Sequence, residues 1–107
     1  MTTDNWFGMA ISFNEGFGAV KLNGKWNFIS KDGKFLSSTW FDCCLNFYQG
    51  FATVKLNCKW NYIDKEGKLL SDVWFDGCDS FRKGFGIVRL VDKWFTINKE
   101  GVLHEYR

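Results

Sequence analysis

Proline is absent from this 107-residue chain, histidine occurs once, and 14 basic side chains against 12 acidic ones leave a net charge of only +2. Each shortage excludes something. No apolar run approaches the roughly 18 residues of a membrane-crossing helix. A charge of +2 is too small to argue by itself for nucleic acid or an anionic membrane. The single histidine, His104, has only Glu105 beside it, and acid-base catalysis needs a positioned partner. The four cysteines, Cys43, Cys44, Cys58 and Cys78, contain no C-x-x-C pair and no histidine at ligand spacing, so no zinc site is expected. Gly18 and Gly86 precede no helix that could cradle a phosphate. The start, MTTDNWFG, has neither a basic stretch nor an apolar run, so no export signal is expected and the default compartment is cytoplasmic. The expectation is a chain with no catalytic residues, no metal and no cofactor.

Aromatic residues are abundant instead: 12 Phe, 6 Trp and 3 Tyr. A period explains most of them. Phe13, Phe47 and Phe81 are 34 apart, as are Gly16, Gly50 and Gly84, and Trp26, Trp60 and Trp94. Writing the chain as 6–39, 40–73 and 74–107 gives three ungapped units of 34 with 12 columns identical in all three. Fixed columns hold 15 of the 21 aromatics, and a thin repeat needs such large side chains because it has little else to bury. The whole, 1–107, reads as one domain of three units.

Within a unit the signals are those of strands and turns, so the fold expected is all-β, built of tandem antiparallel hairpins. Strands are predicted over 17–22 and 25–30, separated by Asn23-Gly24, a pair suited to the positive φ of a type I′ turn. Val91 weakens that signal in the third copy, since a β-branched residue resists positive φ. A second turn ends on Gly33, Gly67 and Gly101, with Asp32, Glu66 and Glu100 expected to cap it. Asp42 and Asp76 are expected to cap turns likewise. A third strand is predicted over 35–41 and 69–75, with 102–107 as half a copy. The two-residue turn places Lys21, Lys55 and Arg89 opposite Trp26, Trp60 and Trp94, a cation-over-indole pairing worth about 0.5–1 kcal/mol at an exposed site. The units either close into a compact pseudo-threefold ring or run as a short solenoid. Closure is favoured because the leader could pair with 102–107 and hide both edges.

The lines FNEGFGAVKLNGKWNFISKDGK, FYQGFATVKLNCKWNYIDKEGK and FRKGFGIVRLVDKWFTINKEG resemble the WG repeat, whose pattern is F-x-x-G-x-A-x-V followed by G-K-W-G-[FY]-I-[DN]-x-x-G-K. One departure matters: the glycine after the tryptophan is Asn27, Asn61 and Phe95 here. The resemblance implies an array of β-hairpins used as a binding or scaffold surface, without a common catalytic mechanism. A looser likeness is to the choline- and glucan-binding cell-wall repeats, which hold ligands between aromatics of adjacent units.

Function therefore reads as binding. Eleven of the 14 cations lie in four repeat columns, forming stripes interleaved with aromatics. Residues that break the repeat, Tyr48, Arg82 and Lys83 in the F-x-x-G-F connector, are better candidates for a specific contact. The candidate partner-binding set is Lys21, Lys55, Arg89, Trp26, Trp60, Trp94, Tyr48, Arg82 and Lys83. The expected partner is a protein or a nucleoprotein complex, with the chain as a small inhibitor or adaptor of it, carried by a phage or mobile element. The alternatives are a choline or saccharide binder using inter-repeat aromatic grooves, and an RNA or single-stranded nucleic-acid binder. No membrane association is expected, and the oligomeric state is open.

Overall fold

The computed structural model describes residues 5–6, 9–10 and 13–105. All regular structure among them is β: β1 (Asn5–Trp6), β2 (Met9–Ala10), β3 (Phe13–Asn14), β4 (Phe17–Leu22), β5 (Lys25–Ser30), β6 (Cys43–Cys44), β7 (Phe51–Leu56), β8 (Lys59–Asp64), β9 (Gly77–Cys78), β10 (Phe85–Leu90), β11 (Lys93–Asn98) and β12 (Leu103–Glu105). The long hairpins β4/β5, β7/β8 and β10/β11 carry the same register, with Lys21 opposite Trp26, Lys55 opposite Trp60 and Arg89 opposite Trp94. The first two hairpins each bury residues on both faces. Val20 and Ile29 face a core with Phe13 and Trp40, while Phe28 on the other face joins a cluster with Phe41, Phe47, Ala52, Val54 and Ile63. The third cluster repeats this with Tyr62, Phe75, Phe81, Val88 and Ile97.

The turns follow from the residues that form them. Asn23 and Gly24 have φ of 53° and 81°, and Asn57 and Cys58 have 54° and 69°. Val91 adopts φ of 58° despite its branched side chain. The reason is Asp76, whose Oδ2 accepts the Val91 N–H at 2.7 Å, as Asp42 Oδ2 accepts that of Asn57 at 2.9 Å. A tertiary hydrogen bond thus holds a backbone that the side chain opposes. The left-handed region costs a non-glycine residue about 1–2 kcal/mol, least for Asn, so Val91→Asn is expected to stabilise the chain by about 1 kcal/mol. Thermal unfolding measures this, and a lowered midpoint would contradict it.

Three expectations need correction. The turn caps do not come from Asp32, Glu66 and Glu100: the amides of Glu66 and Lys68 donate to Asp64 Oδ1, and those of Glu100 and Val102 to Asn98 Oδ1. The column two residues earlier stands at the strand end, where its side-chain oxygen accepts the loop amides two and four residues ahead.

The third strand does not exist over 35–41 or 69–75. There the backbone pairs with the hairpin backbone only at the bridges Ile29 to Phe35 and Trp26 to Phe41, and again at Ile63 to Leu69 and Trp60 to Phe75. Between the two contacts it bows outward, and the buried Asn27 fills the gap. Its Nδ2 donates to the Ser37 carbonyl at 2.8 Å and its Oδ1 accepts the Phe28 amide at 2.7 Å. Asn61 repeats both bonds with Ser71 and Tyr62. In the third unit this column is Phe95, which cannot bridge a bow, and β12 runs straight along β11 with Glu105 opposite Phe95. The position after the tryptophan has ordinary negative φ in all three copies, so the departure from glycine is chemical and not conformational.

The ring is also overturned. Among the described residues β1 pairs with β2 and β12 with β11, and no strand joins the ends. The chain is an open stack with extents of 47 × 26 × 19 Å. What sets it in line is the crossing segment: after Phe41 meets Trp26, β6 pairs with β7 of the next hairpin, and β9 with β10 after it. Each unit is thereby stitched to its successor in the same direction.

Candidate functional site

Two surfaces carry the predicted residues, at opposite ends of the hairpins. From the connector at residue 17 to the stripe at residue 21 is about 13 Å of strand. The stripe lies toward the Asn23-Gly24 end. Lys21 Nζ stands 5.7 Å from the Trp26 ring centroid and Lys55 Nζ 5.5 Å from that of Trp60. Arg89 differs: its Nη1 donates to the Val91 carbonyl at 3.2 Å, and Trp94 is 47% exposed. Two of the three cations therefore lie over indoles of their own unit. Beside them, Lys25 pairs with Asp42 and Lys59 with Asp76. Each carboxyl is held below its ordinary range, first by the lysine and then by the turn amide of Asn57 or Val91. The expectation that Asp42 and Asp76 cap turns thus holds, and each one ties two successive hairpins together.

The other surface is the connector rim. Here F-x-x-G-F folds as a tight turn, with φ of 53° and 92° at Glu15 and Gly16, and the same at Gln49-Gly50 and Lys83-Gly84. The turns are laddered. Glu15 Oε2 accepts the Gln49 amide at 2.7 Å and Oε1 the Gly50 amide at 2.9 Å, while Gln49 Oε1 accepts the Gly84 amide at 2.8 Å. Burial alone would raise the Glu15 carboxyl, but the Gly50 and Gln49 amides and Lys65 at 3.3 Å bring it below its usual value. Lys83, the third member of this column, has no oxygen with which to continue the ladder.

Tyr48, Arg82 and Lys83, the three residues singled out for departing from the repeat, converge on this rim. Tyr48 is 47% exposed and lies with Ser80, Phe81 and Arg82 around a shallow cleft. A second cleft of about 360 Å³ is lined by Asp79, Ser80, Arg82, Lys83, Phe85 and Ile87. Sequence reasoning missed Phe85, because it sits in an invariant column. Its equivalents Phe17 and Phe51 are stacked on Phe47 and Phe81 of the following unit at 5.1 and 4.6 Å. At the rim, the space between successive units is thus filled by the chain's own rings at both internal joints.

The thiols offer no nucleophile in the core. Burial pushes Cys44 and Cys78 up to about 12, far above where a thiolate forms at neutral pH. Cys58 is exposed in its turn, and all four cysteines are unpaired. Among the described residues no three His, Cys, Asp or Glu side chains gather as a metal would require. No helix among them is long and apolar enough to cross a membrane.

A family profile described as "WG containing repeat" matches residues 7–26, 28–60 and 62–94. No curated protein and no solved structure matches the chain.

Proposed function

The chain belongs to the WG-repeat family, and from that premise we propose that it is a non-catalytic module that docks onto a protein partner through the connector rim of its second and third units. The observation that carries this reading is the convergence of Tyr48, Arg82 and Lys83 beside two clefts. In a repeat, columns that obey the pattern are explained by packing and ladders. Residues that break it and yet gather at one exposed place are explained by something outside the chain. An aromatic and an arginine on a rim are also the side chains that anchor protein interfaces.

The stripe is the weaker candidate. Lys21 and Lys55 lie over Trp26 and Trp60, so their positions have an internal cause. The biological role that fits such a rim is occupation of a surface on a larger complex, as an inhibitor or adaptor does.

Affinity capture from a bacterial lysate tests the reading, with the wild-type chain and the double variant Arg82→Glu, Lys83→Glu compared side by side. Placing like charges across an interface costs several kcal/mol, so recovery of a true partner is expected to fall more than about tenfold. Equal recovery on both baits would show that the rim is not the docking surface.

A further inference from the structure

The two joints inside the chain are one lock used twice. At the first, Phe47 inserts between Phe17, stacked at 5.1 Å, and Phe28, edge-on at 4.9 Å. At the second, Phe81 inserts between Phe51 and Tyr62 at 4.6 and 4.8 Å. In both, the turn two or three residues after the inserted ring is gripped by the preceding unit: Glu15 holds the Gln49 and Gly50 amides, and Gln49 that of Gly84. The lock therefore reads an aromatic side chain and then turn N–H groups two or three residues on. Its burial is complete on the inserted side, with Phe47 and Phe81 at 1% and 2% exposure.

The third unit presents the same socket, and no described residue fills it. Phe85, in the column of Phe17 and Phe51, is 39% exposed, and Ile87 beside it lines the cleft of about 360 Å³. Its chemistry has changed in three ways. Thr96 stands where Phe28 and Tyr62 form the edge-on wall, which widens the opening. Lys83 stands where Glu15 and Gln49 accept amides, so the group that grips the turn is now a cation and a donor. β12 lies along β11 as far as Glu105 opposite Phe95, beside the edge where a following unit would bridge to the tryptophan. A further repeat would bring turn N–H groups onto an ammonium, which repels them. A carboxylate at that spacing would be attracted instead. Arg82 lines the same cleft, and among the described residues Asp79 is its one acid, so the balance of those residues is positive.

From the continuity of this socket with the two filled ones, we infer that the open face of the third unit binds a protein segment bearing an aromatic side chain followed two residues later by a carboxylate. The ring stacks on Phe85 against Ile87, and the carboxylate meets Lys83. This specifies the partner's chemistry for the docking reading above and rests on that reading.

The test is a titration of the isotope-labelled full chain, followed by amide resonances, with the blocked pentapeptide Gly-Phe-Ser-Glu-Gly and its counterparts carrying Ala for Phe or Lys for Glu. Millimolar peptide is expected to shift amides of 82–87 and their neighbours. The Ala peptide is expected to bind too weakly to detect, and the Lys peptide about two- to fivefold more weakly, the scale of an exposed ion pair. Lys83→Glu should reverse that preference. This exposed column holds a glutamate at Glu15 with nearly the same φ, 53° against 56°, so the variant is expected to fold normally. No shift at millimolar peptide, shifts at Lys21 and Trp26 instead, or a preference unchanged by Lys83→Glu would each overturn the inference. Shifts of the same amides on concentrating the protein alone would assign the socket to a second copy and overturn it as well. If an intact partner is captured and lost with the rim variant while the peptides fail, this inference falls and the docking reading stands. If the peptides bind but capture ignores the rim, the docking reading falls, and with it the assignment of this socket to a partner.

Discussion

Phe81→Ala is expected to lower the stability of the chain by about 3–5 kcal/mol, the range for truncating a fully buried Phe. The ring lies between Phe51 and Tyr62 of the second unit and is 2% exposed. Around it the packing is compensated: Tyr62 has a hydroxyl that Phe28 lacks, and Gly86 stands where the second unit has Ala52. A Cβ on Gly86 would run into that hydroxyl, which instead donates to the Asp79 carbonyl. Phe13→Ala removes the same residue from the same column of the first unit, where the ring is half-buried against Val20 and Ile29 under Lys31. Its expected cost is only about 1–2 kcal/mol, since less area leaves water. Urea unfolding of the two variants measures the difference. Equal losses would mean that the column stabilises each unit internally and that the joint contributes little.

Asn61→Ala is expected to cost about 2–5 kcal/mol. The side chain is fully buried, and its loss leaves the Tyr62 amide and the Ser71 carbonyl without the partners that it supplies. A polar group stripped of its partner in the interior costs about 1–3 kcal/mol. Phe95→Asn, which restores the residue of the other two copies, is expected to give no gain, because β12 pairs straight along β11 and there is no bow to bridge. Denaturant midpoints distinguish these outcomes. A loss below about 0.5 kcal/mol for Asn61→Ala, the scale of an ordinary surface change, would show that the bowed segment is held by its end bridges alone.

Both results bear on how a WG-type unit is assembled. The hairpin is local: six-residue strands, a two-residue turn and a fixed register. The joint is not local, because it depends on one unit's connector entering the face of another. A repeat protein stacks its stability from these two terms, and the third unit of this chain retains the first while no described residue fills its socket.

The hairpins could be read from the sequence because alternation and a two-residue turn act over a dozen residues, and a one-residue slip would have moved every side chain to the wrong face. Lys21 opposite Trp26 followed from that alone. The bow over 35–41 could not be read, because its stability comes from the amide of Asn27, ten residues earlier in the chain than Ser37. Nor could Val91 be placed, since Asp76 overrides its preference from 15 residues away. For the rim, departure from the repeat located Tyr48, Arg82 and Lys83, whereas Phe85 was hidden by its own invariance.

By itself, then, the sequence determined the hairpin of each unit: its period, its two long strands, their register and the family to which the chain belongs, all consequences of short-range pattern repeated three times. Only the tertiary structure decided how the units stand to one another, an open stack and not a ring, and hence that one Phe of an invariant column meets solvent. The physical reason is that exposure belongs to neighbours. Three identical residues differ when two have a following unit packed on them and the third has none among the described residues.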